Sequence, residues 1–251
     1  MVAAAGAGGR AVSLIQIKNR WTGAVLFEGD FATMRLCVDA ANLRGANLRE
    51  ADLSEADLGR ANLRGANLRG ANLGRADLSE ADLSEANLRE ADLSEANLRE
   101  ADLSGAYLGR ANLRGANLGR ADLSGADLGR ADLSEADISE ADISEADLRG
   151  ANLGRVDLRG ADLRGAKIRG EITLIGAPLR RAIREDGYEF YLWPTSAGFF
   201  VQAGCRWFTF DESWDHWCGP NADRLNTPLG DESHDILVMF SLALDRVEAK
   251  P

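Results

Sequence analysis

Residues 41–60 read ANLRG ANLRE ADLSE ADLGR, and the same five-residue pattern runs without interruption to ADLRG AKIRG at residues 161–170. Cut this way, residues 41–170 are 26 pentapeptides of the form A-(D/N)-L-x-x with no insertion. The first position is Ala except at Val156, and the third is Leu except at Ile138, Ile143 and Ile168. A period of five fits neither the 3.6 of an α-helix nor simple strand alternation, and the Gly, Ser, Asp and Asn content penalises a long helix. What remains is a solenoid. In an extended segment the Ala and Leu, two positions apart, point to one side and the residue between them points out. The last two positions then turn a corner. L-R-G, L-G-R and L-S-E place glycine differently, so mixed turn types are expected. Asn or Asp before the Leu is suited to hydrogen-bonding turn amides.

These motifs strongly resemble the pentapeptide repeat family. The resemblance implies a mainly β fold, a right-handed quadrilateral β-helix with one pentapeptide per side and four per coil. On that geometry the repeat makes about 6.5 coils, about 31 Å tall at the usual strand spacing. Burial of each Leu contributes about 1.5–3 kcal/mol, which helps offset the ordering of a Gly-rich chain. A narrow, filled core argues against an internal small-molecule cavity.

Stacking every fourth pentapeptide gives four rows. The row starting at Ala41 nets −4 and carries an acidic column, Asp82, Asp102, Asp122, Asp142 and Asp162. The row starting at Ala46 nets +4 and carries Arg49, Arg69, Arg89, Arg110, Arg130, Arg149, Lys167 and Arg169. The other two rows net −3 each. On the third row Glu55, Arg75, Glu95, Glu135 and Arg155 largely alternate in sign, which supports the stacking register. Carboxylates one coil apart repel by roughly 0.9 kcal/mol per pair in water. Turn amides, nearby Arg, a basic protein partner or a cation would each relieve that. The G-G-x-G-x-D pattern of calcium-binding β-helices is not present.

The chain has 251 residues and a net charge of −11, which disfavours direct binding to nucleic acid and favours basic partners. No run of about 18 apolar residues suggests a membrane span. Cys37, Cys205 and Cys218 are an odd, scattered set, so a reducing cytoplasm is the expected location. The family resemblance raises DNA gyrase as a partner, because its quinolone-resistance members mimic DNA. Here the repeat carries one net charge per roughly 5 Å, against one per about 1.7 Å in duplex DNA, and one row is positive. The projecting loops and C-terminal dimer helix of such relatives are not apparent either.

Both ends of a solenoid need covers. Residues 1–11 read as a disordered tail and 12–40 as an N-terminal cap. In that cap, strands at 12–18 and 23–27 precede a helix at 31–40 capped by Asp30, with Trp21 and Cys37 packed inside. The IxNRWTGxVLFE-type start resembles that of some bacterial and phage relatives. Residues 171–251 hold 12 of the 16 aromatic residues and read as a separate, small α+β C-terminal domain. Strands are expected near 172–175, 188–193 and 199–203, a capping box at Thr209–Glu212, and a helix from Gly230 to about Glu248. AGCRWFTFDESWDHW is similar to a C-terminal element of other pentapeptide repeat proteins.

Trp207, Trp214 and Trp217 are core residues or, where exposed, interface anchors. Cys205, His216, Cys218 and His234 have zinc-ligand chemistry but unconventional spacing, and no nucleophile elbow surrounds Cys205. The reading is therefore a nonenzymatic, cytoplasmic interaction protein without metal or cofactor, binding an unidentified protein partner. A gyrase modulator and a catalytic or metal-binding C-terminal domain are the alternatives.

Overall fold

The computed structural model describes residues 12–175, 178, 180–183, 189–203, 206–209, 212, 213, 237 and 240. The expected tail at 1–11 lies outside them. Among the described residues the fold is mainly β, with a ten-residue α-helix near the N-terminal end, and the repeat forms a β-helix solenoid.

The backbone amides explain the motif. Parallel bridges join second-position residues 20 apart, from Asp52↔Asn72 to Asp147↔Lys167, so four pentapeptides make one coil. In Ala81–Glu85, Ala81 N closes the preceding turn on Leu78 O at 3.1 Å, and Asp82 N reaches back to Ala61 O at 3.0 Å. Leu83 N and Glu85 N donate forward to Asp102 O and Ser104 O at 2.7 and 2.9 Å. The fourth amide, Ser84 N, donates instead to the Asp82 side-chain oxygen at 3.0 Å. Asp or Asn at position two thus satisfies the one amide per repeat that the ladder leaves over.

Every turn with a described φ sign follows one pattern, not the mixture expected. The fifth residue has positive φ whether it is Gly (Gly65, φ 64°), Glu (Glu85, φ 59°) or Arg (Arg110, φ 61°), while fourth-position glycines such as Gly59 do not. This is the sign pattern of a type II turn. The coil-to-coil bond from the fifth amide imposes it, overriding a local penalty of roughly 1–2 kcal/mol at each non-glycine site. Inside, the Ala and Leu positions from Leu48 to Leu153 are almost all buried in one continuous core.

At the N-terminal end β1 (Ser13–Asn19) and β2 (Val25–Phe31) form an antiparallel hairpin. Asn19 Oδ1 organises its turn by accepting from Trp21 N and Thr22 N at 3.0 and 2.9 Å. β1 also pairs with β3 (Ala51–Asp52), covering the edge of the first coil. Helix α1 (Met34–Leu43) starts later than expected, and its N-cap is Thr33, whose hydroxyl accepts from Leu36 N at 3.3 Å. Asp30 belongs to β2, paired with Leu14, and caps nothing. Trp21 is 72% exposed under Arg20, whose guanidinium lies 4.8 Å from the ring centre, so it is not a packing residue; Cys37 is fully buried. Burial pushes the Cys37 thiol pKa up.

The first ANLRG does not make a coil side. Ala41–Leu43 are the last turn of α1, and Leu43 is 84% exposed. No earlier coil is there to pair with, and Asp39 of α1 takes the amide of Asn62 at 2.7 Å where a preceding coil's carbonyl would stand.

At the other end β4 (Lys167–Arg169) pairs with β5 (Ile172–Thr173), and Leu174 bridges to Thr195. An antiparallel sheet follows in the order β6 (Arg180–Ile183), β7 (Glu189–Thr195), β8 (Gly198–Ala203), β9 (Arg206–Thr209). β7 alternates strictly. Tyr191 and Trp193, with Phe200 of β8, join the solenoid core, whereas Phe190, Leu192 and Val201 pack with Leu237 and Phe240. The sheet therefore shares one face with the solenoid instead of having a wholly separate core. Trp193 Nε1 donates to Gln202 Oε1 at 3.0 Å within that buried layer. β6 and β9 carry little strand signal in the sequence, because RRAI and RWFT lack clear alternation. The capping box is present: Glu212 N donates to Thr209 Oγ1 at 3.1 Å and Thr209 N to Glu212 Oε2 at 2.9 Å.

Candidate functional site

The chemistry-bearing side chains stand in vertical rows on the outside of the solenoid. In the acidic column Asp82, Asp102, Asp122 and Asp142 each receive the amide of the Ser two residues on, at 2.9–3.0 Å through Oδ1. The Ser84 and Ser104 hydroxyls add bonds of 2.6 Å to Asp82 and Asp102. Turn amides thus engage one oxygen, and among the described residues Oδ2 of these four has no hydrogen-bond partner. Asp162 differs, because Arg164 grips it with Nε 3.0 Å from each oxygen and holds its carboxyl below the usual range.

Where a fourth-position Arg points depends on two other residues. When Asp stands two places earlier the Arg folds back on it, as Arg149 does on Asp147 and Arg159 on Asp157. The Arg149 hydrogen bonds lower the Asp147 pKa. When Asn stands there, the Arg reaches a Glu 21 residues on, in the next coil: Arg64–Glu85 at 2.8 Å, Arg69–Glu90 at 3.0 Å and Arg114–Glu135 at 3.1 Å. Arg44, Arg49, Arg89 and Arg99 also follow Asn, but Gly65, Gly70, Arg110 and Arg120 stand at that distance, and Arg99 turns to Glu100 at 3.2 Å. Arg49 has no side-chain partner among the described residues. Arg89 crosses the ring of Tyr107, its guanidinium 4.6 Å from the ring centre, and reaches Asp127 at 3.0 Å.

Half of the expected basic stripe is therefore engaged in ion pairs. Arg69, Arg89 and Arg149 are paired within the solenoid, and Arg169 pairs with Glu212 at 2.7 Å. That last bond holds the Glu212 carboxyl below its usual pKa. Arg110 and Arg130 are exposed and, among the described residues, have no side-chain partner. The alternating corners do stack, with Arg75–Glu95 at 3.0 Å and Arg155–Glu135 at 3.8 Å. Such exposed pairs contribute about 0–1 kcal/mol each. The second positions of the same row form a ladder in which Asn72, Asn112 and Asn152 donate to Asp52, Asp92 and Asp132 at 2.9–3.1 Å.

Two exposed aromatics were not among the expected contact residues. Trp21 is one; Tyr107, 44% exposed, is the other. Its signal was available, since Tyr107 is the sole aromatic of the repeat. Trp207 lies in β9 opposite Gln202, and only its backbone is described. Trp214, Trp217, Cys205, His216, Cys218 and His234 lie outside the described residues, as does most of the expected helix at 230–248. Among the described residues no group of three His, Cys, Asp or Glu is arranged to hold a metal ion, and no helix is long and apolar enough to cross a membrane.

The family model for pentapeptide repeats matches residues 41–79, 76–115, 111–155 and 141–170, eight copies spanning just over half of the chain. The chain belongs to the pentapeptide repeat family. Among solved pentapeptide repeat structures it is similar to HetL, a protein involved in heterocyst differentiation regulation from the cyanobacterium Nostoc sp. strain PCC 7120. That match has 41% identity over 47% of this chain and 64% of HetL, with a TM-score of 0.30. A pentapeptide repeat protein of the Arabidopsis thaliana thylakoid lumen matches at 34% identity over 39% of this chain and 65% of its own, with a TM-score of 0.29. The chain thus spans slightly under two thirds of the length of each. QnrB1, a plasmid-mediated fluoroquinolone resistance protein, matches at 25% identity over 47% of this chain and 76% of its own, with a TM-score of 0.34. No curated protein matches.

Proposed function

We propose that this pentapeptide repeat protein is a nonenzymatic, cytoplasmic interaction scaffold. A right-handed, four-sided column displays charged walls to a protein partner, and the C-terminal region adds contacts of its own. The supporting observation is the division of labour within the repeat. Ala and Leu are spent on the filled interior, and the charged side chains recur outside at one-coil spacing on a rigid ladder. Preorganised charges of this kind favour recognition and association rate over raw affinity. The acidic column Asp82–Asp142, with one oxygen of each carboxylate left over from the turn, and Arg49, Arg110 and Arg130, which have no side-chain partner among the described residues, are the leading contacts.

Affinity capture with the full chain tests this. Asp102→Asn, Asp122→Asn and Asp142→Asn together preserve the turn acceptor while removing charge. Arg49→Gln, Arg110→Gln and Arg130→Gln remove those three guanidinium groups. At least one set reduces capture in a salt-dependent way if the walls bind; unchanged capture by both sets rejects the reading. Modulation of DNA gyrase is the narrower alternative. The ion pairs that neutralise much of the surface weigh against it, and unchanged supercoiling at high protein concentration retires it.

A further inference from the structure

The two coils spanning residues 101–140 differ from their neighbours on two adjacent rows. On the second row position four is Gly109 and then Gly129, with no side chain, and Arg89 lies across this notch. A Cβ on Gly109 would stand 3.7 Å from Arg89 Nε and 3.6 Å from Asp127 Oδ2. Tyr107, 44% exposed, lies under the Arg89 guanidinium, and the exposed Arg110 and Arg130 stand one coil apart at the fifth position of the same row. On the first row of the same coils the corners are Ser104-Gly105 and Ser124-Gly125, which carry no long side chain. Beside them Asp102 and Asp122 bind turn amides through Oδ1, and among the described residues their Oδ2 atoms have no hydrogen-bond partner.

We propose that the Tyr107–Arg110–Arg130 knob docks on the Asp102–Asp122 shelf of a second copy of this chain. Charge complementarity and pitch select the partner. Both guanidinium groups are engaged at once by carboxylates set one coil apart, about 4.8 Å, and this chain carries that arrangement on the very coils that carry the knob. Two copies standing parallel and in register bring Arg110 and Arg130 opposite Asp102 and Asp122, with the Tyr107 ring over the bare Ser-Gly corners. Arg and Tyr are the side chains that commonly anchor interfaces. Knob and shelf are different surfaces, so the contact is heterologous, closing into a ring or extending as a row of columns. The proposal rests on reading the walls as interaction surfaces.

Sedimentation of the full chain over a concentration series, at about 0.05 M and about 0.5 M salt, tests it. Association at low salt that weakens at high salt is expected. Arg110→Glu with Arg130→Glu, or Asp102→Asn with Asp122→Asn, weakens it about tenfold or more, with circular dichroism unchanged. Mixing the two double variants decides the matter, because one keeps its shelf and the other its knob: a 1:1 pair that grows no further is expected. A wild type that stays monomeric throughout, or association indifferent to both variants, overturns the proposal. Salt-dependent capture of other proteins by a monomeric wild type would leave the scaffold reading standing; loss of both removes both.

Discussion

Arg89 and Asp127 form an ion pair at 3.0 Å across an intervening coil, with the Tyr107 ring beneath the guanidinium. The pair passes close to Gly109, where an added Cβ would stand 3.7 Å from Arg89 Nε and 3.6 Å from Asp127 Oδ2, so a side chain longer than Ala would crowd it. Both groups are substantially exposed, so the pair is a modest stabiliser. A double-mutant cycle with Arg89→Gln and Asp127→Asn, read by urea unfolding, should give a coupling below about 1 kcal/mol that shrinks with salt. A coupling of several kcal/mol would mean that Arg89 organises the surrounding coils.

Leu43 and Leu63 occupy the same place in identical ANLRG pentapeptides, yet Leu43 is 84% exposed at the end of α1 and Leu63 is fully buried. Leu63→Ala should cost about 2–5 kcal/mol, whereas Leu43→Ala should stay within about 0.5 kcal/mol. Equal losses on chemical denaturation would place Leu43 in the core.

Gly65 and Gly59 make a second contrast. At Gly65 φ is +64° and a Cβ would meet nothing within 4 Å, so Gly65→Ala isolates backbone strain, expected at about 1 kcal/mol. Gly59 lacks positive φ and its Cβ would make ordinary contact with Ser79 Oγ at 3.6 Å. Gly59→Ala should be near neutral in the same measurement.

The joint between solenoid and C-terminal sheet is sensitive to acid. Arg169, and secondarily the Thr209 amide, lower the Glu212 pKa. A depressed folded-state carboxyl binds its proton less readily than the unfolded one, so its stabilisation is present above the ordinary Glu pKa and disappears as pH falls through the lowered value. Glu212→Gln retains a capping-box acceptor but loses the ion pair. Melting temperatures of variant and wild type should differ slightly at neutral pH, by less than about 1 kcal/mol in stability, and converge in acid. A gap that persists at low pH would assign the loss to capping geometry.

The interior and the period were legible because Ala and Leu carry them in every repeat, and so was the amide-capping role of Asp and Asn. The N-terminal hairpin was legible from its alternation. Other features depend on distant residues. Glu85 and Arg110 adopt positive φ because their amides bond to the next coil, which local turn preference does not anticipate. Ala41–Leu43 match the motif and still fold as helix because no coil precedes them. The destination of a fourth-position Arg that follows Asn turns on the residue 21 places ahead, as for Arg69 and Glu90, so the charge counted along a row does not say which guanidinium groups are engaged. Trp21 is exposed against its expected place in the packing of the cap, whereas the exposure of Tyr107 agrees with the outward direction of position two.

Pairing at a strict interval of 20 residues has a consequence for how this molecule changes length. Loss or gain of one whole storey, residues 81–100 for instance, leaves every later side chain above its former kind of neighbour. Removal of a single pentapeptide keeps the hydrophobic filling intact but turns all that follows onto the adjoining side, so that acids and bases meet strangers. The tower tolerates editing in multiples of four repeats far better than in ones, and its surface pattern is inherited floor by floor.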